Sequence, residues 1–185
     1  DPLWSRGLGD VYKRQGLTSV SELIDQPRAI YDSGAYGPIL VLLLAGAFTK
    51  SAQMPFHVWL PNAMEAPTPV SAYLHSATMV KAGIYLLMRF FPVMGETVMW
   101  EVALVTAGSI TMVIGAILAL RQADVKLMLA YTTVASLGLL VLLIGIGSEL
   151  ALEAAVLYVV AHSLAKACPV SYTHLRAHET REDIV

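Results

Sequence analysis

Cysteine is all but missing from this 185-residue chain, whose single Cys168 excludes an intramolecular disulfide and any cysteine-rich zinc module. Charge is also scarce, at 14% of residues where soluble domains usually carry about 25%. Of the 26 Asp, Glu, Lys and Arg side chains, 9 lie in residues 1–36 and 5 in residues 169–185, leaving 12 for residues 37–168. The Lys and Arg residues are scattered among apolar runs and the net charge is −2, so the basic face required for nucleic-acid binding is missing. There is no glycine-rich phosphate loop, no nucleophile elbow and no His-Glu-x-x-His helix, and the hydrolase and nucleotide-binding classes therefore lack their residues. His174 and His178 have a metal-compatible spacing, but two histidines without a carboxylate or cysteine partner are too few for a metal site, and none is expected. Residues Asp1 to Gln15 are polar where a secretory signal would have an apolar core of about 7–15 residues, so internal segments are expected to drive insertion into a membrane.

What the chain has in abundance is apolar sequence, 56% of its residues, with a mean hydropathy of +0.63. Five apolar stretches stand between polar or Pro/Gly punctuation: Pro38 to Leu60, Val70 to Phe91, Val98 to Leu120, Lys126 to Gly147 and Leu150 to Cys168. Each approaches the roughly 20 residues needed to cross about 30 Å of hydrocarbon, where only helices and closed barrels satisfy their own backbone. A soluble bundle of this size would show charges every turn on its outer faces, and these stretches do not. The expected architecture is an all-α polytopic bundle of about five spanning helices. Thr68 followed by Pro69 predicts the start of the second helix. The turn carrying Arg121, Asp124 and Lys126 is expected on the cytoplasmic side, and the turn carrying Glu149 on the other; Arg89 fits this orientation less well.

The first stretch is not a simple anchor. It contains Lys50, Ser51, Gln53 and His57, with Pro55 in its interior and Pro61 at its end. Proline removes a helical hydrogen bond and collides with the preceding turn, and in a membrane such a break is tolerated where the freed groups line a cavity or are covered by protein. Lys50 lies 12 residues beyond Pro38, about 18 Å along a helix, and Lys81 lies equally far beyond Pro69. Both are near mid-bilayer, too deep to snorkel easily to the interface. A lysine at that depth costs about 2.5–3.5 kcal/mol on insertion scales and persists mainly on a hydrated or protein-lined path. His162 and Lys166 are four residues apart, hence on one helix face, with Tyr158 one turn earlier; His75 sits near the start of the second helix. The bland reading of each histidine is a hydrogen-bonded packing residue. Together with the lysines, groups that exchange protons readily, they suit a proton relay.

The run FTKSAQMPFHVWLPNAMEAPTPVSAYLHSATMVKAGIYLLMRF, residues Phe48 to Phe90, closely resembles the core of the antiporter-like membrane subunits shared by respiratory NADH:quinone oxidoreductase and the Mrp multisubunit Na+/H+ antiporters. ADVKLMLAYTTVASLG and LYVVAHSLAKA, residues Ala123 to Gly138 and Leu157 to Ala167, resemble the same family in the same order. Within it the sequence looks most like the A-type subunit of the Mrp antiporter, with the proton-pumping L-type subunit of the quinone oxidoreductase as the alternative. The resemblance implies that Lys50 is the proton-carrying lysine of a broken helix, paired in the family with a glutamate on an earlier helix that has no counterpart here. It implies that His75 continues the hydrophilic axis, that Lys81 is a lysine of the A-type antiporter branch, and that His162 and Lys166 lead toward a second half-channel. Asp124 and Lys126 match a DxK turn, and His57 is a supporting residue beside the break at Pro55 and Pro61. Tyr158 stands where many relatives carry another histidine.

The family fold repeats two inverted five-helix units, and this chain would hold the later part of one and the opening of the next. The resemblance implies a proton-translocating subunit of a Na+/H+ antiporter rather than an enzyme, multi-pass in the bacterial cytoplasmic membrane. Its partners would be lipid, the other subunits, H+ and Na+. No cofactor is expected, and any redox chemistry would belong to partner subunits. The ends DVYKRQ and PVSYTHLRAHET resemble translated sequencing-adapter read-through. Residues 1–15 and 169–185 are accordingly expected to be non-native or disordered ends around a partial transmembrane domain over residues 16–168, in which Leu17 to Ser33 form an amphipathic stretch along the membrane.

Overall fold

The computed structural model describes residues 36–63 and 79–182, with side chains described as far as residue 166. Its described elements are all helical: α1 Tyr36–Lys50, α2 Trp59–Asn62, α3 Met79–Met94, α4 Val98–Leu120, α5 Val125–Ile146 and α6 Glu149–Glu182. The predicted helix start at Thr68 and Pro69 and the amphipathic stretch Leu17 to Ser33 lie outside the described residues. Helix α3 falls in the second expected span and runs three residues past its predicted end at Phe91. The backbone of α6 remains helical past Cys168 as far as Glu182.

Two of the described helices meet both length and apolarity for a bilayer crossing, α4 with 23 residues and α5 with 22. Their ends follow from local chemistry. Thr97, in extended backbone, caps α4 by accepting from the Trp100 N–H at 3.4 Å. Asp124 caps α5 through Oδ1, which accepts from the Lys126 N–H at 2.9 Å. Gly147 ends α5 in the left-handed region at φ 66°, a conformation that a Cβ would strain.

Helices α4 and α5 form an antiparallel hairpin packed along most of its length. Glycine sets how closely they approach. A Cβ on Gly108 would lie 2.6 Å from the Leu142 nitrogen, one on Gly138 would lie 2.5 Å from the Met112 nitrogen, and one on Gly115 would lie 2.8 Å from the Ala135 nitrogen. Such small-residue seams let helix backbones come together in lipid, where packing rather than the hydrophobic effect drives association. Helix α5 is the hub, touching α2, α3 and α6 as well as α4, while α1 packs on α3. Leu40, Ile84, Leu87, Trp100, Leu104, Leu137 and Ile144 fill the interior where α1, α3, α4 and α5 meet. The outward faces of α4 and α6 remain apolar and exposed, among them Val102, Ile110, Val113, Leu157 and Leu164, a surface suited to lipid or neighbouring protein.

Candidate functional site

The first expected span is interrupted, and the break falls earlier than the prolines suggest. Helix α1 stops at Lys50, five residues before Pro55. The Ser51 N–H still bonds the Ala47 carbonyl at 2.9 Å, but Ala52 turns to φ 48° and the Gln53 N–H reaches back to the Phe48 carbonyl at 3.0 Å, one residue further than an α-helix allows. The prolines lie beyond this turn. Pro61 sits in the short helix α2, within its first turn, where its missing N–H is tolerated.

The break is tied down from two sides. The Met54 N–H donates to Thr111 Oγ1 on α4 at 3.0 Å, and the Trp59 indole N–H donates to the Thr49 carbonyl at 3.0 Å. Gly83 of α3 lies so close to Ser51 and the Ala47 carbonyl that any Cβ there would overlap them. Ser51 and Gln53 are fully buried. The Gln53 amide donates to the Ser51 carbonyl at 3.1 Å, while Ser51 Oγ and Gln53 Oε1 have no hydrogen-bond partner among the described residues. His57 Nδ1, beyond the break, is likewise buried without a partner among them.

A second cluster lies where α3, α5 and α6 meet. Lys81, 8% exposed, donates from Nζ to Ser163 Oγ, which in turn donates to the Val159 carbonyl at 2.6 Å. Lys166 donates from Nζ to Thr132 Oγ1 and to the Leu129 carbonyl at 3.3 Å. On α6, one turn before Lys166 and adjacent to Ser163, is His162, 5% exposed, with neither ring nitrogen hydrogen-bonded to a described residue. Tyr158 stacks on its ring at 6.0 Å between centroids and donates to Ser136 Oγ at 3.2 Å, and Ser136 donates to the Thr132 carbonyl at 2.8 Å. Lys81, Ser163, His162, Tyr158, Ser136, Thr132 and Lys166 therefore form one polar seam inside apolar helices.

The seam gathers three of the five expected relay residues, Lys81, His162 and Lys166. His75 lies outside the described residues. Lys50 is exposed at the end of α1 and its side chain makes no hydrogen bond with a described residue, so it stands apart from the seam. Asp124 acts as a helix cap, and the Lys126 backbone is its partner. Sequence reasoning missed Thr111, Thr132, Ser136 and Ser163. Thr132 and Ser136, four residues apart in a largely apolar helix, carried a legible signal, since that spacing stacks two hydroxyls on one face. Thr111 carried none, because a threonine in an apolar helix more often bonds its own backbone, as Thr106 does in the same helix.

The family model for "NADH:quinone oxidoreductase/Mrp antiporter, TM" matches residues 7–182. The chain is 48% identical over 174 residues to a probable K(+)/H(+) antiporter A/B subunit of Rhizobium meliloti, covering 94% of this chain and 17% of that protein. It is 52% identical over 141 residues to a putative antiporter subunit mnhA2 of Staphylococcus saprophyticus, covering 76% of this chain and 18% of the relative. The chain thus spans less than a fifth of the length of these curated relatives. A solved Mrp complex from Dietzia sp. DQ12-45-1b superimposes with a TM-score of 0.85 at 44% identity, over 91% of this chain and 19% of the matched one. With a broken helix, a buried lysine–histidine seam and a family match over nearly its whole length, the chain belongs to the NADH:quinone oxidoreductase/Mrp antiporter transmembrane family and resembles its Mrp-type members.

Proposed function

We propose that this segment carries protons across a bacterial cytoplasmic membrane as part of a multisubunit monovalent cation/proton antiporter, with Na+ as the counter-ion. The observation that carries the reading is His162, buried one helical turn before Lys166 and next in sequence to Ser163, the partner of Lys81, with both ring nitrogens unbonded by any described residue. A neutral imidazole holds a proton on one nitrogen and a lone pair on the other, so it can take a proton at one and release the other. The Ser163 and Thr132 hydroxyls accept from Lys81 and Lys166, and Ser136 accepts from Tyr158, which supports the reading by putting a polar partner beside each lysine within apolar helices.

In this reading Lys50 takes and releases a proton as its pairing changes, and His75, Lys81, His162 and Lys166 relay it along a mid-membrane path. The turn at Arg121, Asp124 and Lys126 faces the cytoplasm, and the exposed apolar faces of α4 and α6 meet lipid or other subunits. The family also includes subunits of NADH:quinone oxidoreductase, but antiporter names on relatives at 48% and 52% identity favour the antiporter. Replacing Lys50 with alanine in the assembled antiporter should abolish proton-coupled cation transport in inverted membrane vesicles. Unimpaired transport by that variant refutes the role given to Lys50.

A further inference from the structure

We infer that Thr111 is a positioning residue for proton transfer, fixing the broken helix that presents Lys50. The inference rests on the proton-carrying role proposed for Lys50 and adds a residue on a different helix. A break in a membrane helix frees backbone groups that lipid cannot satisfy, so whatever satisfies them also decides where the broken segment sits. The Met54 N–H would bond the Lys50 carbonyl in an unbroken helix; here it donates instead to Thr111 Oγ1 at 3.0 Å. Thr111 is fully buried, so no solvent competes for its hydroxyl.

The anchor itself is rigid. Thr111 lies within the glycine seam, between Gly108 and Gly115 and beside Met112, where the α4 and α5 backbones are in contact. Its hydroxyl is therefore fixed relative to α5, the helix whose Thr132 and Leu129 receive Lys166. This hydrogen bond, together with the packing of α2 on α5, refers the broken end of α1 to the hairpin that also holds the far end of the polar seam. The Trp59 bond to the Thr49 carbonyl restrains the break from within the same segment and does not itself reach α4. Displacing the break changes the distance over which Lys50 exchanges its proton, whereas Thr111 itself need touch neither ion.

Thr111→Val keeps the branched shape and removes the acceptor, and Thr111→Ser keeps the hydroxyl and removes a methyl group. Both are placed in the assembled antiporter, with Lys50→Ala as a parallel variant. Proton-coupled Na+ transport is followed in inverted vesicles between about pH 6 and about pH 9, which spans the ordinary titration of histidine and approaches that of lysine. Complex assembly is checked by co-purification of the other subunits. Thr111→Val should assemble, lower the rate about three- to tenfold, as the loss of one hydrogen bond implies, and move the midpoint of the pH profile. Thr111→Ser should restore both. A Thr111→Val complex with wild-type rate and midpoint overturns the positioning role, as does a loss that Thr111→Ser fails to rescue. Wild-type transport by Lys50→Ala overturns the proton-carrier reading instead, so the two failures are told apart.

Discussion

Gly138→Ala adds one methyl group at the tightest point of the α4/α5 hairpin, and the geometry sets what it should do. The new Cβ would stand 2.5 Å from the Met112 nitrogen and 2.8 Å from the Gly108 carbonyl oxygen, both backbone atoms that no rotamer change can move. Ordinary contact begins at 3.4 Å, so the helices must separate by about 0.9 Å or tilt. A gap of about 0.5–1 Å forfeits a quarter to a half of each dispersion contact along the seam. Overpacking of this kind typically costs about 1–3 kcal/mol. Alanine also favours the helix by about 0.8–1.0 kcal/mol over glycine, which must be subtracted. Gly46→Ala isolates that gain, because a Cβ at Gly46 meets nothing within 4 Å. Thermal unfolding in detergent micelles, followed by circular dichroism, should place Gly138→Ala below Gly46→Ala by the overpacking energy. Gly108→Ala should behave like Gly138→Ala, and the double variant should lose less than the sum, since each Cβ strikes the other glycine's carbonyl. If Gly138→Ala and Gly46→Ala unfold together, the close backbone contact of the hairpin is refuted.

Two further variants test separate links. Asp124→Ala removes the α5 cap and should destabilise the chain by about 1 kcal/mol in the same melts, whereas Asp124→Asn, which keeps the accepting oxygen, should leave stability nearly unchanged. Tyr158→Phe keeps the ring stacked on His162 while removing the bond to Ser136, so the assembled antiporter should retain its stability but transport protons more slowly; unchanged rates would remove the Tyr158 hydroxyl from the path.

Much of the fold was legible because bilayer crossing imposes a length and a composition. The stretch Val98 to Leu120 coincides with α4, and the expected Lys126 to Gly147 differs from α5 by one residue at each end, since Asp124 and Gly147 are local punctuation that a sequence displays. The break was legible as a region but not as a point. Pro55 drew attention, yet the helix already ends at Lys50, because the turn depends on a left-handed Ala52, on Gly83 lying against Ser51 and on an acceptor supplied by α4. None of these is visible in the residues around the proline.

The scarcity of charge in the middle of the chain, its lysines and its histidines followed from the amino-acid sequence alone. They determined an all-helical membrane segment with buried ionisable groups, because helical periodicity and the free energy of placing an ammonium in hydrocarbon are local properties. Which of those groups meet was decided only by tertiary structure. Lys81 and Ser163 are 82 positions apart, Lys166 and Thr132 are 34 apart, and Tyr158 and Ser136 are 22 apart. No helical period links residues at such separations, and it is the packing of α3, α5 and α6 that brings each pair together. The same packing leaves Lys50 outside the seam, and the close approach of α4 and α5 holds the buried Thr111 hydroxyl against a broken backbone 57 residues away in the chain.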